Sequence, residues 1–328
     1  MSRNRILAVV LFLTVLLAAG YRIINRTSTV EVSRTFPVLG TFATVIVTVD
    51  QTRSSILPGK ADSLLNHLDT QLGRYSKSGQ LFDLNTTFSI DANTELAGLI
   101  RISDTIVSAT GNSFDPTLGA LSEIWGFPQP ETVPDPLLIQ QALLFTGWDA
   151  RVDINDDFIT LEPGTVLDLG AIAKGHAVDR TYDLMMELGA TECLVEVGGE
   201  VRCGSLTGRV WHVGVRHPRS ERLAGILAIT EGAVATSGDY ECYFIEEGVR
   251  YSHLLDPETG FPSMNAASAT VIADDCATAD AMATAAVVAG PERAVDFHAE
   301  MYIGMLIITA DRNDVCETHE FGDVPWGE

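Results

Sequence analysis

Lysine is scarce in this chain. Of 21 Lys and Arg residues among 328, only Lys60, Lys77 and Lys174 are lysines, whereas Asp and Glu number 44, giving a formal net charge of -23. That balance argues against nucleic-acid binding, which displaces counterions from phosphates with many cationic side chains. Cysteine is sparse too: Cys193, Cys203, Cys242, Cys276 and Cys316 form no CxxC pair and no Cys/His cluster at zinc spacing. This argues against a disulfide scaffold and a structural metal site, while one or two disulfides, including a Cys193–Cys203 pair, stay open. Walker A, full GxGxxG and GxSxG patterns are also missing, so the sequence indicates neither a P-loop, a dinucleotide fold nor a serine hydrolase. What is present is 46% hydrophobic residues, enough for a sizeable core in one large domain or two ordinary ones.

The N-terminus stands apart. Arg3 and Arg5 precede an apolar run over residues 6–20 that ends in Ala18, Ala19 and Gly20. Residues 1–24 therefore read as a signal peptide or an uncleaved membrane anchor. The run is short against the roughly 20 residues that span a bilayer. Positive charge ahead of it predicts export of the bulk of the chain. Residues 25–35 read as a polar linker, 36–310 as the folded domain and 311–328 as an acidic tail.

Within that domain, residues 41–49 alternate as a strand. Ala61, Leu64, Leu65, Leu68 and Leu72 share one helical face, and Leu96, Leu99, Ile100, Ile106 and Val107 sketch a second helix ended by Gly111. Residues 128–136 are a proline-rich loop. Further on, strands are expected at 165–169, 193–197, 210–215, 225–229, 241–245, 250–255, 268–272 and 305–309. Helices are expected at 173–188 and 278–288. The mixture predicts one intertwined α+β domain rather than a repeating βαβ array.

Four constellations carry candidate chemistry. Asp168-Leu-Gly-Ala171-Ile-Ala-Lys174-Gly175 reads as a strand, a turn and a helix start that suits phosphate, or simply as a tight turn with a surface lysine. Asp280 and Thr284 lie four apart on one helical face; with a nearby carbonyl they offer oxygen ligands to a hard cation such as Mg²⁺, or Asp280 is merely a capping or solvent-facing carboxylate. His253 precedes an Asp256-Pro-Glu-Thr-Gly260 turn, where the imidazole serves as a base or satisfies a buried backbone group. Phe114-Asp115-Pro-Thr117-Leu-Gly119, followed by Trp125-Gly-Phe127, offers flat apolar walls for a flavin or adenine, or ordinary core.

Taken in order, these segments resemble the ApbE family of FAD:protein FMN transferases. The likeness runs from about Phe36 to Thr309 and adds Leu39-Gly-Thr41, Tyr75 with residues 78–85, Val197-Gly-Gly199, residues 211–218 and Thr236-Ser-Gly238. It implies a T-fold-related α+β domain whose Leu39, Tyr75, Ser113, Phe114, Asp115, Asp168, Lys174 and Leu254 border FAD. It also implies that Asp280, Thr284 and the Ala171 carbonyl hold Mg²⁺, and that His253 assists catalysis; Asp256 is expected as the histidine's partner. The implied reaction moves FMN from FAD to a Thr or Ser hydroxyl of an acceptor flavoprotein and releases AMP. The implied location is the bacterial periplasm or the periplasmic face of the inner membrane. Mg²⁺-dependent hydrolysis of FAD to FMN and AMP, or exported FAD binding without turnover, are the alternatives. Departures from the family pattern are Ala171 for a frequent Gly, Leu39 for a frequent Met, Glu200 where Asn or Asp is usual, and the absence of a lipobox cysteine.

Overall fold

The computed structural model describes residues 28–327 except 92, 93, 131 and 302; the proposed signal or anchor over 1–24 lies outside them. The chain forms β1 (Thr29–Val38), β2 (Thr41–Asp50), α1 (Leu57–Leu72), α2 (Gln80–Thr87), β3 (Ser89–Asp91), α3 (Glu95–Ala109), α4 (Gly119–Trp125), α5 (Pro136–Leu143), α6 (Trp148–Arg151), β4 (Val152–Ile154), β5 (Phe158–Leu161) and α7 (Ala173–Glu187). It continues with β6 (Glu192–Val197), β7 (Glu200–Ser205), β8 (Trp211–Arg216), β9 (Leu223–Ile229), β10 (Gly232–Gly238), β11 (Tyr243–Glu246), β12 (Val249–Ser252), β13 (Ser268–Ala273), α8 (Cys276–Ala289), α9 (Pro291–Met301), β14 (Gly304–Ala310) and β15 (Cys316–Phe321). An eight-stranded antiparallel sheet in the order β1-β2-β6-β7-β10-β13-β14-β15 organises the molecule. This is the α+β architecture expected.

The sheet's two faces follow from strand alternation. Ala233, Ala235, Met305 and Ile307 join the main core beneath the helices, while Val234 and Leu306 turn the other way to meet Trp211, Leu227 and Ile229 of the β8–β9 ribbon. Helix α8 is apolar all round and almost wholly buried, because it lies between β10 and β13 on one side and α3, α7 and α9 on the others. Its many alanines allow this close approach. Gly175 does the same for α7: a Cβ there would stand 2.2 Å from the Cys276 carbonyl oxygen. A third cluster gathers Leu121, Trp125 and Phe127 against Phe244 and Tyr251 of the β11–β12 ribbon.

Several sequence expectations shift. β1 starts at Thr29, inside the stretch expected as linker, because Thr29, Val30 and Val32 suit a strand and pair in register with β2 from Thr29↔Asp50 to Val38↔Thr41. The expected tail at 311–328 supplies edge strand β15, paired with β14 through Met305↔Phe321. Residues 165–169 are extended but form no strand; Val166 makes a single bridge to Leu118, and both backbone groups of Leu167 bond to the Asn85 side chain. Strands β7 and β10 went unanticipated, their alternation broken by Gly and polar residues. All five cysteines are free thiols; Cys193 and Cys203 sit on adjacent strands but pack into opposite-face cores.

Candidate functional site

A cavity of about 500 Å³ opens where the turn before α7, the 113–118 loop, the β1–β2 turn and the base of the β11–β12 ribbon meet. Leu39, Phe114, Phe127 and Leu254 give it apolar walls. Leu39 reaches it from a two-residue hairpin turn in which both Leu39 (φ 50°) and Gly40 (φ 72°) are left-handed. Such turns prefer Asn-Gly, so a leucine here carries local strain for the sake of an apolar contact.

The polar end is built from α7 and α8. Asp280 is 1% exposed; its Oδ2 accepts the Gly175 N–H at 3.0 Å and its Oδ1 lies 3.5 Å from Lys174 Nζ. In a regular helix start the Gly175 N–H would reach back to the Ala171 carbonyl. Because it donates to Asp280, no backbone N–H among the described residues bonds the Ala171 oxygen. Ala171 and Thr284 both line the cavity. Carboxylate, free carbonyl and hydroxyl make an all-oxygen donor set, the chemistry that suits Mg²⁺. Among the described residues no cluster of three His, Cys, Asp or Glu side chains forms a metal centre, so any such ion depends on the backbone and hydroxyl donors.

Lys174 is tethered at this end. Its ammonium lies 3.1 Å from the Gly170 carbonyl oxygen and 3.3 Å from Glu200 Oε1. Burial works against the charge, but Asp280, Glu200 and Glu241 outweigh it and hold Lys174 above its usual range. Burial likewise pushes the Glu200 carboxyl up, with Lys174 opposing and Asp280 adding. Among the described residues, Glu200 Oε2 has no hydrogen-bond partner.

Asp168, also lining the cavity, accepts from Gly170 N at 3.0 Å and pairs with Arg74 at 2.9 Å. The Arg74 guanidinium also lies over the Tyr75 ring, 4.7 Å from its centroid. Tyr75 is 68% exposed at the rim, with Arg74 against one face of its ring and bonded to its hydroxyl. Ser113 accepts from Arg293 at 3.0 Å. Asp115 turns its carboxylate to the Thr117 and Gly147 backbone, so it shapes the loop while burial raises its pKa.

His253 closes the ribbon. Its Nδ1 lies 3.2 Å from the Cys242 carbonyl oxygen, a distance that puts the ring proton on Nδ1 and leaves the Nε2 lone pair free. Burial lowers its pKa, and nearby Lys174 adds to that against the Cys242 bond; the neutral form dominates at pH 7. Asp256 is not the partner expected. Its Oδ1 accepts the Glu258 N–H at 2.8 Å within the Asp-Pro turn, and it does not line the cavity; the Cys242 carbonyl takes the role.

Thus Leu39, Tyr75, Ser113, Phe114, Asp115, Asp168, Ala171, Lys174, His253, Leu254 and Thr284 line one cavity, with Asp280 just behind Lys174. Sequence reasoning missed Arg74 and Glu241; nothing in their local pattern separates them from other surface charges.

A model of the ApbE family matches residues 39–307. The chain belongs to the ApbE family. Its relatives include the FAD:protein FMN transferase of Vibrio cholerae, 32% identical over 267 residues covering 78% of this chain and 80% of that protein. The FAD:protein FMN transferase of Escherichia coli is 30% identical over 289 residues, 83% of this chain and 82% of the other. Among solved structures, the ApbE protein of Thermotoga maritima superposes with a TM-score of 0.80 at 30% identity, covering 88% of this chain and 96% of that one. The flavin transferase ApbE of Vibrio cholerae gives 0.80 at 28% identity, covering 90% and 98%.

Proposed function

We propose that this ApbE-family chain transfers FMN from FAD to a Thr or Ser hydroxyl of an acceptor flavoprotein and releases AMP. The observation that carries the reading is the Gly175 N–H turned to Asp280, which frees the Ala171 carbonyl at a largely apolar cavity that His253 also lines. The names of its relatives support the same activity. The apolar walls suit the flavin, and Tyr75 offers a stacking face. Asp280, Thr284 and the Ala171 carbonyl would hold Mg²⁺, which supplies positive charge opposite the diphosphate as the bond to the leaving phosphate breaks.

His253 Nε2 takes the proton of the attacking hydroxyl. The hydroxyl oxygen then bonds to the FMN phosphorus, and the bridging P–O bond breaks with its electron pair leaving on AMP. The Cys242 carbonyl keeps the imidazole in the tautomer this needs and stabilises the cation that forms. Phe127 meets the imidazole edge-on, with ring centroids 6.3 Å apart, and limits its rotation. The apolar run over residues 6–20 supports action outside the cytoplasm, at a membrane surface if the run is retained.

The test is to incubate the full chain with FAD, Mg²⁺ and a candidate acceptor flavoprotein. Covalent flavin on the acceptor with one AMP per flavin supports transfer. Free FMN plus AMP without covalent flavin assigns hydrolysis, and no AMP at any Mg²⁺ concentration assigns binding without turnover.

A further inference from the structure

Hydroxyl groups on helices can bond back to the carbonyl four residues earlier, as Thr70 does to Asn66 O, Thr86 to Phe82 O, Ser103 to Leu99 O and Thr105 to Arg101 O. Thr284 is held differently. The carbonyl four residues before it belongs to Asp280, yet its Oγ1 instead meets Ser237 Oγ on β10, at 3.0 Å. Ser237 is 8% exposed and sits on β10 opposite Ala269 of β13, beyond the last pairing of β10 with β7 at Val234. Thr284 is more open, and both residues line the cavity.

A threonine oxygen that ligates a cation must send its hydrogen elsewhere. The Asp280 carbonyl would draw the hydroxyl back along the helix axis, whereas Ser237 draws it sideways off the helix onto the sheet. We infer that Ser237 is a positioning residue for the divalent cation: its Oγ accepts the Thr284 hydroxyl hydrogen and holds the rotamer whose lone pairs face the ion beside Asp280. The inference rests on the metal reading of the preceding section and extends it from the ligands to the residue that orients one of them. Losing a group that orients a metal ligand commonly costs 10- to 100-fold in metal affinity.

The test measures Mg²⁺ binding to the full chain by calorimetry, without turnover, for Ser237→Ala, Ser237→Thr, Thr284→Val and the double variant Ser237→Ala/Thr284→Val. Ser237→Ala is expected to weaken Mg²⁺ binding about tenfold with little change in Tm, and Ser237→Thr to restore it. The double variant is expected to bind no more weakly than Thr284→Val alone, because Ser237 acts only through Thr284. FAD turnover should then show a raised Mg²⁺ requirement in Ser237→Ala, with kcat at saturating Mg²⁺ within about twofold of wild type, since the ion once bound replaces the lost orientation. If Ser237→Ala binds Mg²⁺ like wild type while Thr284→Val does not, or if the two losses add, the inference fails and the ligand set survives. If Thr284→Val binds Mg²⁺ normally, the ligand set fails and the inference with it. Should Ser237→Ala not fold, Ser237→Cys, with nearly the same shape and a weaker acceptor, is expected to show a smaller loss in the same direction; wild-type affinity there overturns the inference.

Discussion

The Gly175 N–H donates to Asp280 Oδ2 at 3.0 Å, and this one bond does two things. It ties the first turn of α7 to α8, 105 residues further along the chain, and it leaves the Ala171 carbonyl without its helical partner. An oxygen-rich corner results that neither helix possesses alone.

Asp280→Asn tests that corner. Asparagine keeps an oxygen for the Gly175 N–H, and Lys174 keeps Glu200, so the fold should persist with Tm within a few degrees. Mg²⁺-dependent AMP release is expected to fall at least about a hundredfold, since the only carboxylate of the donor set is gone. Unchanged turnover would remove Asp280 from the metal site.

Gly175→Ala is a stability test. The new Cβ would stand 2.2 Å from the Cys276 carbonyl oxygen, and backbone on both sides leaves it nowhere to go. A loss of about 3 kcal/mol is expected in denaturant unfolding; a loss under about 0.5 kcal/mol would mean that the two helices are less closely packed than described.

His253 sets the acid limb of the pH profile. Burial lowers its pKa from 6.5, and only the neutral ring accepts a proton. Thus kcat/KM is expected to be flat near pH 7 and to fall as pH drops through a value below 6.5. His253→Gln should lower kcat about 10²- to 10⁴-fold and abolish that limb. A wild-type profile with its acid midpoint above 7 would contradict the assignment.

Leu39→Asn separates stability from binding. Asparagine tolerates the left-handed turn better than leucine, so a gain of about 1 kcal/mol in unfolding free energy is expected. Removing an apolar wall should weaken FAD binding, read by fluorescence titration. Tighter FAD binding would show that Leu39 does not face the flavin.

Much of this was legible in the sequence because the informative residues are constrained locally. Asp280 and Thr284 share a helix face by spacing alone, and the Asp168–Gly175 turn announces a helix start. The strands with clean alternation, β2 and β6, fall where expected. What was not legible depends on contacts distant in sequence. Arg74 matters through Asp168, 94 residues away. Asp256 looked like a partner for His253 by proximity, but its own turn claims the carboxylate. β1 reads like a linker because an edge strand is exposed on most positions and only half of its residues are apolar, and β15 hides within an acidic tail as a second exposed edge strand. The orientation of Thr284 required the position of a strand 47 residues earlier.

The most direct measurement is the anomalous diffraction of Mn²⁺, standing in for Mg²⁺, in crystals of the full chain grown with FAD. The expected peak lies among the Ala171 carbonyl oxygen, an Asp280 carboxylate oxygen and Thr284 Oγ1, in contact with the FAD diphosphate. A peak at Glu200 and Glu241 with those three oxygens unligated, or FAD bound with no ion at its diphosphate, would contradict the account.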